Sequence, residues 1–232
     1  MIEIVTDEEL GKERAQLVDT WKKLLAGEGW NWKKLLAGQG WREELERQIG
    51  VYFSLMSSSE DKRHSAKIRQ IHDVLGFMAK DGKNGLCAGA IFRTSKFIKE
   101  TNRVGSGRNG PLTIHIEHTV PIAELDRQLR GRVFFVSDAA RVKFLLVHSV
   151  TTAFDIHEKT SGISTDYSSK SDAFDKDKLD FKKPFARYKP LFEKGGVVWN
   201  VFDKVCVDQE EFTFDHHREI IHRLITECSR PD

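Results

Sequence analysis

A chain of 232 residues, 39% hydrophobic and 31% charged, carries enough apolar material for one large core or two small ones and lies far from the composition of a disordered segment. It has no run of about 18 apolar residues, which excludes a membrane-spanning helix, and the acidic start MIEIVTDEEL lacks the apolar stretch of a secretory signal. The net charge of +2 is unevenly spread: Lys62–Arg108 holds eleven Lys or Arg against three Asp or Glu, a local +8, leaving 26 against 32, or −6, elsewhere. A basic segment on a nearly neutral chain is the electrostatic footprint of a polyanion partner. The three cysteines, Cys87, Cys206 and Cys228, are scattered, which argues for a reducing, cytoplasmic setting and against a structural four-cysteine zinc site.

In chain order, Thr6-x-x-Glu9 is a capping-box pattern ahead of a helical run in which Leu10, Leu17, Trp21, Leu24 and Leu25 share one face. Trp21–Trp30 (WKKLLAGEGW) and Trp32–Trp41 (WKKLLAGQGW) differ at a single position, a tandem duplication read as architecture or a self-association surface, hence a homodimer. Helices are expected over Glu43–Met56 and from Glu60 to about Ala79. A further helix is expected in LCAGAIFRTSKFIKE, where Arg93, Lys96 and Lys99 recur every three residues along one side. The Gly-rich VGSGRNGP, containing Arg108, leads into the next strand.

That strand is the organising stretch. In Leu112–Leu125 (LTIHIEHTVPIAEL), Leu112, Ile114 and Ile116 alternate with Thr113, His115 and Glu117, the period of a half-buried strand. His118 follows, and Pro121 turns the chain into a short amphipathic helix. Neighbouring strand residues face opposite sides, so Glu117 and His118 face one side only if the backbone turns there. A neutral imidazole can take a proton from water and a carboxylate can hold a divalent cation, the two services phosphodiester hydrolysis needs.

Downstream, Arg132–Val136 is a short strand candidate and Ser137-Asp138 a helix cap. Phe144–Val150 reads either as a buried strand or as the continuation of that helix. Thr151 and Thr152 are expected to cap a helix carrying Asp155, His157 and Glu158. Residues 160–183 are polar and serine-rich, the composition of a mobile loop. They lead to Phe185-Ala186-Arg187-Tyr188, where the arginine is suited either to a phosphate contact or to packing. Val197–Val207 is expected as a strand with a bulge, and the last helix, HREIIHRLITECSR, bears His216, His217 and His222 along its flank.

Glu117-His118-Thr119-Val120-Pro121 resembles the [Asp/Glu]-His-x-x-Pro signature of HNH, or His-Me finger, nucleases. The resemblance covers roughly residues 112–160 and implies a ββα-metal nuclease core; with the helices and basic segment read above, the chain is expected to be α+β, a largely helical region (1–108) for DNA binding or dimerisation followed by the nuclease region (109–232) with an additional C-terminal strand and helix. The resemblance also implies a DNA endonuclease, of restriction type by analogy, using one Mg²⁺ or Mn²⁺. His118 would be the general base, Glu117 and either His157 or Asp155 the metal residues, and Arg93, Lys96, Lys99, Arg108 and Arg187 the phosphate contacts. The family's middle asparagine has no counterpart between His118 and His157. A non-catalytic nucleic-acid-binding protein and an oligomerising structural protein are the alternatives from other classes.

Overall fold

The computed structural model describes residues 4–26, 88–105, 113–131, 137–158 and 182–229, together with residues 43, 47 and 50. Helix α1 (Asp7–Leu25) starts where the sequence places it. The Glu9 carboxylate accepts from the Thr6 amide (2.8 Å) and the Thr6 hydroxyl accepts from the Glu9 amide (3.3 Å), so two otherwise orphaned N–H groups are satisfied reciprocally. Asp7, Glu8 and Glu9 in the first turn and Lys22 and Lys23 in the last complement the helix dipole. Leu10, Leu17 and Trp21 are buried along one face, and the Trp21 indole N–H donates to the Gly89 carbonyl (3.0 Å). The rest of the tryptophan repeat, the helices expected over 43–79 and the polar loop expected over 160–183 fall almost wholly outside the described residues, as does the strand expected at 132–136.

The fold is α+β, built on a five-stranded mixed sheet of order β2-β3-β1-β4-β5. The strands are β1 (Phe92–Thr94), β2 (Ile114–His118), β3 (Thr151–Asp155), β4 (Val198–Asn200) and β5 (Val205–Cys206). The helix expected across Leu86–Glu100 is therefore a strand followed by a short helix, α2 (Ser95–Lys99), capped by the Thr94 hydroxyl, which accepts from the Phe97 amide. β1 is the central strand, parallel to β3 and antiparallel to β4, and all three of its residues are buried. Because β1 precedes residue 109 and the other four strands follow it, the described residues share one core across the expected domain boundary; α1 also packs on the C-terminal helix.

α3 (Ile122–Gly131) follows Pro121, and α4 (Asp138–His148) is capped by Ser137 as its sequence predicts. The apolar run Phe144–Val150 resolves as the end of α4, because the Ser137 cap sets a helical frame that buries Val142 and Leu145 one turn apart. The second strand of the motif is β3, several residues later, where Thr151 and Thr152 are strand residues rather than caps. β4 and β5 form a hairpin across residues 201–204; Asn200 Oδ1 accepts from the amides of Phe202 and Asp203, and Lys204 takes a left-handed φ of 59° to close the turn. The short helix α5 (Lys189–Glu193) precedes β4, and α6 (Phe214–Cys228) ends the described chain.

The histidines that open α6 are structural. His216 Nδ1 accepts from the Thr213 amide (3.0 Å) as part of the cap, while His217 is buried and donates from Nδ1 to the Val147 carbonyl (2.5 Å), joining α6 to α4. Burial pushes the His217 pKa down to about 4, against the opposing pull of the Val147 carbonyl. The folded protein thus keeps a neutral imidazole where the unfolded chain protonates below about pH 6.5. Stability is lost as pH falls from about 6.5 to about 4, by roughly 3 kcal/mol from this residue alone. Urea unfolding of the wild type and His217→Gln at pH 7 and pH 4.5 checks this: the acid-side loss should be clearly smaller in the variant.

Candidate functional site

β2 and β3 pair antiparallel over five positions, with Ile114 opposite Asp155 at one end and His118 opposite Thr151 at the other. The pairing continues past the motif, since the Thr119 amide donates to the Val150 carbonyl (3.0 Å). Thr119 is fully buried: its hydroxyl shares a hydrogen bond with that of Thr152 (2.7 Å) and accepts from the Tyr188 hydroxyl (3.3 Å). Burial raises the Tyr188 pKa, so this phenol serves as a neutral donor. Pro121 then starts α3, its carbonyl accepting from the amides of Glu124 and Leu125. His118 therefore stands at the end of a strand whose exit is pinned by packing and hydrogen bonds on both sides.

Strand geometry continues through both Glu117 and His118, so their side chains leave opposite faces of the sheet. Glu117 shares its face with His115, two residues earlier, and the two side chains meet (Nε2 to Oε2, 3.2 Å). The other carboxylate oxygen of Glu117 accepts from Arg187 Nη2 (2.6 Å), and Arg187 Nη1 donates to the His118 carbonyl (3.2 Å). Arg187 is only 2% exposed. Its expected role as a phosphate contact is thus corrected: the guanidinium is buried, with its two terminal nitrogens on the motif itself.

The expected metal residues do not come together. Asp155 lies at the opposite end of the β2–β3 pair from His118, four residues or roughly 14 Å along a strand. Its Oδ1 accepts from the amides of His157 (2.9 Å) and Glu158 (3.2 Å), capping the helical residues 156–158. His157 is exposed and belongs to that same far end. With both Glu117 oxygens engaged and Asp155 acting as a cap, Glu117, Asp155 and His157 do not fit one cation as a set. Among the described residues, no three His, Cys, Asp or Glu side chains are grouped as a metal site.

The basic residues are likewise redistributed. Arg93, expected on an exposed helix face, is wholly buried on β1, where it pairs with Glu13 and donates to the carbonyls of Ala88 (2.7 Å) and Ala90 (3.0 Å) and to Gln16 (3.0 Å). Lys99 is half-buried and holds the Glu9 carboxylate (2.8 Å), tying α2 to α1 and helping to keep that carboxyl well below its usual range. Lys96 is exposed, and Arg108 falls outside the described residues. No described helix is long and apolar enough to cross a membrane.

Two residues of the site, His115 and Arg187, have no role in the signature itself. His115 was legible as the neighbour of Glu117 from the period-two alternation alone. The partnership of Arg187 with residues 117 and 118 had no local signal, since it spans 70 residues of chain. Comparison with known protein families, with curated proteins and with solved structures gave no match for the chain.

Proposed function

We propose that this protein is a DNA endonuclease of HNH type that hydrolyses phosphodiester bonds, with His118 as its general base. The observation that supports the reading is the antiparallel β2–β3 pair, which ends on Glu117-His118, turns at Pro121, and leads from its second strand directly into helical residues 156–158. In the reaction, His118 removes a proton from water as its oxygen bonds to phosphorus and the bond to the leaving oxygen breaks. The fixed strand end presents the imidazole without reorganisation during the step. Dependence on Mg²⁺ or Mn²⁺ is part of the proposal; the trio Glu117, Asp155 and His157 is not its ligand set. Lys96 is the surface cation among the described candidates suited to the DNA backbone.

The test is incubation of purified protein with supercoiled plasmid in Mg²⁺ or Mn²⁺. Nicked and linear products that vanish with chelator are expected. Retention of the plasmid without cleavage in either cation, with affinity falling steeply in salt, would instead identify a non-catalytic binder.

A further inference from the structure

We infer that Arg187 is a positioning residue for His118, an inference that rests on the nuclease reading above. Three observations carry it. Arg187 is 2% exposed, so its hydrogen bonds are made away from competing water. Its two terminal nitrogens divide between consecutive residues of the motif, Nη2 on the Glu117 carboxylate (2.6 Å) and Nη1 on the His118 carbonyl (3.2 Å). The flanking residue Tyr188, also buried, bonds Thr119, so residues 117, 118 and 119 are all held from the 186–188 turn. A planar fork with fixed donor directions locks both the backbone and the neighbouring side chain of His118, which a single ammonium cannot do. Glu117 thereby has an assigned task, as the anchor for Arg187, with His115 on its second oxygen.

The experiment compares wild type with Arg187→Lys, which keeps the charge beside Glu117 but loses the fork. Three quantities are read: single-turnover cleavage of plasmid at saturating protein, DNA affinity, and the imidazole NMR signals of His118, with those of His148 and His217 as references. Misplacement of a catalytic group by about 1 Å costs up to about 100-fold. Arg187→Lys should therefore cleave about 10–100-fold more slowly, with affinity within about two-fold of wild type and only the His118 signals shifted. Because loss of the fork threatens folding, a second variant, Glu117→Met combined with Arg187→Met, replaces the ion pair as a unit by apolar side chains, an exchange proteins commonly tolerate. It should fold, with shifted His118 signals and slow cleavage. Wild-type cleavage rates in either folded variant, or unmoved His118 signals, would overturn the inference while leaving the nuclease reading intact. A wild type that does not cleave removes the nuclease reading, and the inference with it.

Discussion

Replacing Glu13 with alanine should destabilise the protein by about 3–5 kcal/mol, because it removes a carboxylate that pairs with a buried guanidinium. Arg93 is 0% exposed at the centre of β1, and Glu13, 8% exposed, lies between it and Arg103, which donates to the other carboxylate oxygen (2.5 Å). Arg103 also lies over the Phe97 ring, 4.3 Å from its centroid. One carboxylate on α1 is therefore shared between two cations, one on the middle strand and one on the segment that leads to β2. The carbonyls of Ala88 and Ala90 and the Gln16 amide still receive Arg93 after the substitution, but they supply dipoles and no charge. At this chain length each kcal/mol corresponds to about 2–4 °C, so the midpoint should fall by roughly 10 °C. Denaturant unfolding of Glu13→Ala beside Glu13→Leu/Arg93→Met checks the cause: the double variant should recover the part of the loss that belongs to Arg93, the remainder belonging to Arg103, which also loses its carboxylate. A single variant within about 1 kcal/mol of wild type would mean that the pair contributes little.

The contrast between legible and illegible parts of the chain follows from how local each signal is. The capping box at Thr6 and Glu9, the Ser137 cap and the strand expected from the alternation of Leu112 to Glu117 are local signals; the structure keeps both caps and a strand over Ile114–His118, of which Ile114 alone is buried. Phe92–Thr94 is a strand where the sequence suggests a helix, because an arginine in a three-residue central strand looks like a surface position. Its burial rests on partners that the local pattern does not show, among them Glu13, 80 residues earlier. Phe144–Val150 was ambiguous by periodicity, and the choice was made by the Ser137 cap together with packing of α4 against α6. At the site, the strand and the turn after His118 were readable. The separation of Glu117 from His118 was readable in principle, since adjacent strand residues diverge unless the backbone turns. The grouping of Asp155 and His157 with His118 assumed a helix from Thr151, and a strand there carries both residues to the far end of the pair.

His118→Ala should lower cleavage by about 10²–10⁴-fold, the usual worth of a general base. The imidazole acts on the attacking water and adds little to holding DNA, so turnover should fall while affinity stays close to wild type. His148 supplies the internal control. It donates from Nδ1 to the Phe144 carbonyl (2.6 Å), stacks on the Phe144 ring (centroids 4.0 Å apart) and touches Phe214 (4.4 Å), all of which are packing roles. His148→Ala should cost stability and leave the cleavage rate of the folded fraction unchanged.

The most direct measurement is the single-turnover rate of plasmid cleavage in Mg²⁺ for wild type, His118→Ala and His148→Ala, each at a protein concentration that binds all the DNA. General-base catalysis by His118 predicts cleavage by wild type and His148→Ala and a rate at least about 100-fold lower for His118→Ala at equal occupancy. Equal rates for His118→Ala and wild type, or loss of cleavage confined to His148→Ala, would contradict it.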